Sequence, residues 1–372
     1  MPIYAYEKSG KEHYYYAFEV KDRLGTRKTI KKKGFKTKTE ARNSERIAKV
    51  EWEKGQYVDP TKITVQEYML DWIGKKKDLS IESRETNMGH LKNHIFPSLG
   101  HLPLQKVLVT DIEDFILTME EKGLAQGTVK KIFCLVQNAF KAAIRKELLL
   151  KNPFELLDPA SKPKEGKPKV DYWSKDEVQT FFSRLDHRLS IMFVLAIYTG
   201  MRRGEILGLR FSDIDFENSM ISIRQTLKPR KRIKDGGKNA NASRSIPLSE
   251  FVVAELKKQR TMITKEKWDA KENYHNNDLV VCHPDGEPVS LGNFHKFWVR
   301  ILNNTDMRHI RFHDLRHTFA SLMLSAGVHA KVVQEIMGHS SIKVTLDMYS
   351  HLIPSMQRSA VNVLDDILQK AK

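Results

Sequence analysis

Four short stretches hold side chains that could do chemistry together. An apolar run over residues 191–198 breaks at Thr199-Gly200, and Arg202, Arg203 and Glu205 follow where helical spacing resumes. A guanidinium beside an apolar core is costly unless an anion or a carboxylate meets it, so this junction points to anion binding or a buried ion pair. Far downstream, His313-Asp314-Leu315-Arg316-His317 opens a second apolar helix pattern. Spacings of three and four put His313, Arg316 and His317 on neighbouring positions of one turn. Gly338-His339-Ser340 follows a helical pattern ending near Met337, and Tyr349 lies ten residues beyond His339 in another short helical pattern.

Those stretches need a scaffold, and the hydrophobic pattern divides the chain into three regions. Residues 170–372 mix helices with a strand pair, 220–226 and 243–248, which flanks a basic loop carrying Lys234 and Lys238. Residues 61–158 read as helix throughout. Val65, Met69, Trp72 and Ile73 fall at helical spacing, as do Ile112, Phe115 and Ile116, and then Val129, Ile132, Phe133, Val136, Phe140 and Ile144. Gly100, Pro103, Gly123 and Gly127 punctuate this region, and Asn152-Pro153 ends its last helix. Residues 1–59 hold an aromatic strand at 14–20, a turn at 22–25, a second strand at 27–35 and a helix over 37–54. In that helix Thr39 is the expected cap, Ala41, Ile47 and Ala48 the inward face, and Gly55 the stop. The segment 159–169, rich in Pro, Gly and Lys, reads as an extended basic linker. The expected fold class is multidomain: a small α+β N-terminal domain, an all-α domain, and a mixed, mainly-α domain with a small antiparallel sheet.

The chain has 372 residues and a net charge of +17, an excess that favours a polyanionic partner through counterion release, nucleic acid first. The charge is concentrated. Residues 21–38 hold nine Lys or Arg against Asp22 alone, and residues 228–244 hold seven against Asp235 alone. Candidate phosphate contacts are Lys31, Lys32, Lys33 and Lys36 near the N-terminal strands, Lys75, Lys76, Lys130, Lys131 and Lys141 between the apolar stripes, and Lys234. The longest apolar run, 191–197, is roughly a third of the ~20 residues a membrane span needs, and the first residues carry no hydrophobic signal core. A cytoplasmic protein without a membrane partner is expected. Cys134 and Cys282 lie far apart without metal-type spacing, which suits a reducing compartment.

In order, spacing and local sequence, Thr199-Gly200-Met201-Arg202 with Glu205, His313-Asp314-Leu315-Arg316, Gly338-His339-Ser340 and Tyr349 together resemble the tyrosine recombinase, or phage integrase, family. The three-part layout is similar to integrases of Gram-positive temperate phages and integrative conjugative elements. The resemblance implies an arm-type DNA-binding domain at 1–59, a helical core-binding domain at 61–158, a basic linker at 159–169, and a catalytic domain with a C-terminal tail helix at 170–372. It implies integration and excision of a mobile element or prophage through a 3′-phosphotyrosine intermediate, on double-stranded DNA carrying core and arm sites. A homotetramer on DNA is implied, with an excision factor and a host DNA-bending protein as helpers, in the bacterial cytoplasm and nucleoid.

The same resemblance assigns roles. Transfer of a phosphodiester to tyrosine builds charge on the non-bridging oxygens, and the forked guanidiniums of Arg202 and Arg316 would clamp them. His313 would assist proton transfer, His339 would donate a hydrogen bond, and Glu205 would orient Arg202 or its neighbours. Tyr349 would be the nucleophile. The family's general acid is a lysine of the strand hairpin: matching Arg244-Ser245-Ile246-Pro247 to the hairpin end favours Lys238, with Lys234 the alternative. Arg203 and His317 are neighbours expected to pack or touch DNA backbone. The bond energy stays in the phosphotyrosine, so no ATP is needed, and no Gly-x-x-x-x-Gly-Lys-Ser/Thr loop occurs. His313 and His317 lack the Glu of a His-Glu-x-x-His zinc motif, and Arg316 beside them would repel a cation, so no metal or cofactor is expected. Val361, Leu364, Ile367 and Leu368 give the tail an apolar stripe that would dock either on a neighbouring protomer or on its own domain. Competing readings are a chromosome-dimer-resolving recombinase, a type IB topoisomerase and a non-catalytic DNA-binding regulator.

Overall fold

Alternation of aromatic and charged residues along the first strands sets the N-terminal architecture. The computed structural model describes residues 2–21, 25–55, 57–164, 166, 170–229, 232–235, 244–339, 341–343 and 346. The chain forms two compact units, Met1–Lys167 and Pro168–Lys372. In the first, β1 (Tyr4–Lys8), β2 (Lys11–Lys21) and β3 (Arg27–Phe35) make an antiparallel sheet in chain order. Tyr16, Phe18 and Ile30 are buried together with Ala48 of α1 (Lys38–Glu53), so α1 covers one face. Tyr14 pairs with Phe35 and Tyr15 with Lys33, a register shift that leaves Gly34 without a partner position.

Two expectations for α1 are corrected. Thr37, not Thr39, caps it, its hydroxyl accepting the Glu40 N–H at 3.2 Å. Ile47 is exposed, because the inward stripe runs Ala41, Glu45, Ala48 and Ile47 falls off that phase. The turn expected at 22–25 lies mostly outside the described residues.

The helical remainder of this unit comprises α2 (Val65–Gly74), α3 (Ile81–His90), a π-helical stretch Leu91–Gly100, α4 (Val109–Glu121), α5 (Gln126–Arg145) and the short α6 (Pro153–Leu156). Every expected stripe residue is in its core, with Ile144 only partly buried. Gly127 punctuates nothing: it lies in the first turn of α5. Asn152 begins a helix and does not end one; its side chain accepts the Phe154 N–H at 3.1 Å, and Pro153 takes the first helical position, where no N–H is needed. The start of the expected extended linker is a turn, closed by Asp158 through the N–H groups of Ala160 and Ser161.

The second unit is built around α8 (Ser190–Thr199), buried from Ile191 to Ile197 and therefore enclosed on all sides. Around it lie α7 (Lys175–Arg184), α9 (Arg203–Leu207), α10 (Glu250–Ala270), α11 (Phe294–Asn304), α12 (Asp314–Ser325) and α13 (Ala330–Met337). Trp173, Phe181, Phe193, Trp298 and Phe312 form an aromatic cluster; the Trp298 indole donates to the Ile310 carbonyl at 2.6 Å and Trp173 N–H to Thr318 Oγ1 at 3.0 Å. These contacts fix the start of α12. One antiparallel sheet has the order β4 (Ile214–Asp215), β5 (Met220–Ile223), β8 (Arg244–Pro247); a separate hairpin pairs β6 (Gln225–Lys228) with β7 (Arg232–Asp235). The single strand expected at 220–226 is thus two, parted at Arg224, because Ile223 pairs with Arg244 while Gln225 turns away to pair with Asp235. Gln225 Nε2 then donates to the Gly208 carbonyl at 2.6 Å, holding α9 on the hairpin.

α8 stops at Gly200, whose φ of +61° lies in the left-handed region. A Cβ there would meet the Phe319 ring at 2.5 Å. Gly200→Ala is expected to destabilise the second unit by about 2 kcal/mol, from the left-handed backbone plus overpacking, or about 4–8 °C of unfolding midpoint. Thermal unfolding of the full chain reads this, and an unchanged midpoint would show that Phe319 moves aside at no cost.

Candidate active site

Two helix ends and one short helix bring the expected residues together. Arg202 precedes α9, and Glu205 in the first turn reaches back to it: Glu205 Oε2 accepts the Arg202 N–H at 2.9 Å and Oε1 accepts Nη1 at 2.9 Å. Arg202 Nη2 donates to the Gly338 carbonyl at 3.0 Å. Arg316, in the first turn of α12 and 3% exposed, donates from Nη1 to the Gly200 carbonyl at 2.5 Å and from Nη2 to the Met337 carbonyl at 2.6 Å. The two guanidiniums are therefore tied to consecutive carbonyls, Met337 and Gly338, at the C-terminus of α13. Carbonyls at a helix C-terminus carry partial negative charge, which offsets the burial of Arg316. Gly338 ends α13 at φ +65°, and the turn is pinned by the Gln334 amide, which donates to the His339 carbonyl at 2.5 Å.

The imidazoles sit in this cationic field. His313 immediately precedes α12, and its ring meets His317 edge-on at 5.4 Å between centroids. Burial, and then the charge of Arg316, lowers the His313 pKa. Burial, followed by Arg316 and Arg202, pushes His339 down to about 4; burial and His313 bring His317 to about 4. All three are neutral near pH 7, so each can donate one hydrogen bond and accept another. Burial acts to raise the Glu205 carboxyl, but hydrogen bonds and charge from Arg244 and Arg202 override it and bring it down to about 2.

Arg202, Glu205, His313, Arg316 and His339 thus share one site. Arg203 stacks over the Phe294 ring at 5.0 Å, and His317 packs on His313. Lys238, Tyr349 and the C-terminal stripe from Val361 lie outside the described residues; Lys234 is in β7 opposite Thr226, and its side chain is not described. Arg244 is the residue whose part went unread in the sequence: it grips Glu205 with two bonds, from 39 positions away. The only local signal was its place at the end of the basic loop. Among the described residues no group of three His, Cys, Asp or Glu could hold a metal ion, and no helix is long and apolar enough to cross a membrane.

The candidate phosphate contacts divide. On the sheet face away from α1, Lys31 lies over the Tyr15 ring at 4.7 Å and Lys33 lies 5.5 Å from both Tyr6 and Tyr15, with Tyr4 stacked on Tyr15. Lys32 points to the other side, over Phe35 at 5.9 Å. Lys36 is exposed just before α1. Lys76 covers Trp72, while Lys75 is paired with Asp71 at 2.6 Å and Lys141 with Glu155 at 3.2 Å. Lys131 is exposed and Lys130 partly so.

A pH dependence follows from the depressed imidazoles. The unfolded chain binds protons at His317 and His339 near the ordinary 6.5, the folded chain only near 4. The unfolded state therefore holds more protons between those values, and stability present above 6.5 is lost as pH falls toward 4. The unfolding midpoint of DNA-free protein should drop across that window, and His317→Phe should flatten the slope; an unaltered slope would mean that His317 is not linked to folding.

Comparison with known proteins places the chain among its relatives. The phage integrase family model matches residues 172–356, an arm DNA-binding domain matches 2–51, and the phage integrase N-terminal SAM-like domain matches 64–119. A tyrosine recombinase XerC-like protein of Caldanaerobacter subterraneus subsp. tengcongensis is 28% identical, over 97% of this chain and 98% of its own. The Tn1549 transposon integrase, solved with circular intermediate DNA, is 25% identical with a TM-score of 0.67, covering 80% of this chain and 99% of that one. A lambda integrase tetramer bound to a Holliday junction shares the fold at 18% identity and TM-score 0.59, covering 92% and 94%. With three such models matched in chain order, and a site of paired arginines and histidines within the third, the chain belongs to the phage integrase family of tyrosine recombinases.

Proposed function

We propose that Tyr349 attacks the scissile phosphate while Arg202 and Arg316 hold its non-bridging oxygens, leaving a 3′-phosphotyrosine. The protein is a tyrosine-type site-specific recombinase that cleaves and rejoins DNA. The observation that carries the residue roles is the anchoring of two guanidiniums on the adjacent carbonyls of Met337 and Gly338. Like charges held side by side repel, and an oxyanion between them relieves that cost while its developing charge is stabilised. Neutral His339 donates a hydrogen bond to the same group, and neutral His313 takes up or returns the proton. Glu205 orients Arg202. Lys238, or Lys234 in its place, protonates the leaving 5′-oxygen.

In this reading residues 1–59 bind arm sites, 61–158 and 170–372 bind core sites, and 159–169 link them. The Tn1549 neighbour, a transposon integrase solved with circular intermediate DNA, supports a mobile-element integrase. In the same reading the protein works as a tetramer on paired DNA in the cytoplasm, with an excision factor and a host DNA-bending protein as helpers. The test is covalent capture on nicked duplexes from DNA flanking the chain's own gene. Wild type should give a denaturation-resistant adduct and Tyr349→Phe none, with DNA binding kept; an adduct from the phenylalanine variant refutes the nucleophile.

The arm module supplies a second test. Its helix-free face presents Tyr4, Tyr6 and Tyr15 under Lys31 and Lys33, and we assign arm-site contact to that face. Lys31→Ala with Lys33→Ala should weaken arm-site binding and reduce the slope of log affinity against log salt by about 2, while Lys32→Ala leaves both nearly unchanged. Equal effects from Lys32 would show that the other face contributes as much.

A further inference from the structure

Arg244, the first residue of β8, has an 8% exposed side chain and no part in the roles above. Its Nη1 and Nη2 donate to Glu205 Oε1 at 3.1 Å and Oε2 at 2.9 Å, and its Nε donates to the Ile336 carbonyl at 2.7 Å. Its side chain also lies close against Gly338, where an added Cβ would meet Arg244 Cδ and Nη1 at 3.1 Å. One side chain therefore joins three pieces: the sheet, the carboxylate that orients Arg202, and the turn that leads into His339.

Charge makes this more than a brace. Arg202 and Glu205 alone would form a neutral pair, and a guanidinium so compensated attracts a phosphate weakly. With the same carboxylate shared between Arg202 and Arg244, the trio keeps one net positive charge. Arg202 is 41% exposed at its side chain and Arg244 only 8%, so the surplus lies at the open end of the trio.

We propose that Arg244 is a positioning residue for strand exchange, which neutralises Glu205 so that Arg202 keeps its charge for the scissile phosphate and which fixes the turn presenting His339. This rests on Arg202 being a phosphate ligand.

The experiment is a double-mutant cycle on the full chain, with Arg244→Met, Glu205→Gln and the pair compared for rate of covalent capture and for DNA affinity. R244M should slow capture about 10–100-fold with affinity nearly kept, as expected for displaced rather than deleted machinery. Removing the carboxylate that then neutralises Arg202 should relieve part of that loss, so R244M/E205Q should be faster than R244M. A residue that merely braced the fold would show no such relief. Capture by R244M at the wild-type rate, or a double variant no faster than R244M, overturns the proposal. Arg244→Gln, which keeps amide donors toward Ile336 and Glu205, carries the same comparison if the methionine variant does not fold. Tyr349→Phe run alongside separates the two readings: an adduct there indicts the assigned chemistry, whereas tyrosine-dependent capture indifferent to Arg244 indicts this inference alone.

Discussion

Holding two permanent positive charges beside each other in a half-buried place is the constraint on which the catalytic unit depends. Arg316 has almost no contact with water, and Arg202 is set on the carbonyl next to the one that Arg316 uses. Neither position would persist without compensating negative charge. The fold provides it from backbone, through the ends of α8 and α13, and from one carboxylate, Glu205. That explains why both helices stop in left-handed glycines: the chain must turn sharply so that its terminal carbonyls point at guanidiniums and not onward into another helical turn.

The neighbouring imidazoles respond to the same surroundings. Burial disfavours their protonated form and the nearby guanidiniums add to this, so His313, His317 and His339 are neutral near pH 7. Fixed donors and neutral rings together make a site whose dipoles are already oriented. The aromatic cluster of Trp173, Phe193, Trp298 and Phe312 keeps α12 in place, so that Arg316 and His313 are aimed by packing as well as by hydrogen bonds.

Much of this was legible in the sequence wherever one element has one period. The stripes of α2, α4 and α5 and the alternation in β2 and β3 name their own inward faces. The resemblance marked Arg202, Glu205, His313, Arg316 and His339, and the fold brings those five to one place. What local pattern could not carry was non-local. Nothing around Arg224 announces that a strand must split to serve two partners, and nothing around Arg244 announces a carboxylate 39 positions earlier. Hydrophobicity alone points Ile47 inward, whereas the face of α1 that meets the sheet is the one carrying Ala41, Glu45 and Ala48. Asn152-Pro153 was read as a stop because proline disfavours helix before it, yet the same pair is a good start.

The register shift at Tyr14 and Tyr15 bears on how the N-terminal module can change over evolutionary time. A strand shows its lysines to one side only while its residue count stays in step with its partner. A single insertion after Thr29 would turn Lys31 toward α1 and put Ile30 in its place. Beside Gly34 the pairing already accommodates an extra residue, so length can vary there without reversing either face. Relatives that differ by one residue in this hairpin should therefore differ at the bulge, and the lysine stripe can change while the tyrosine layer beneath it stays in step.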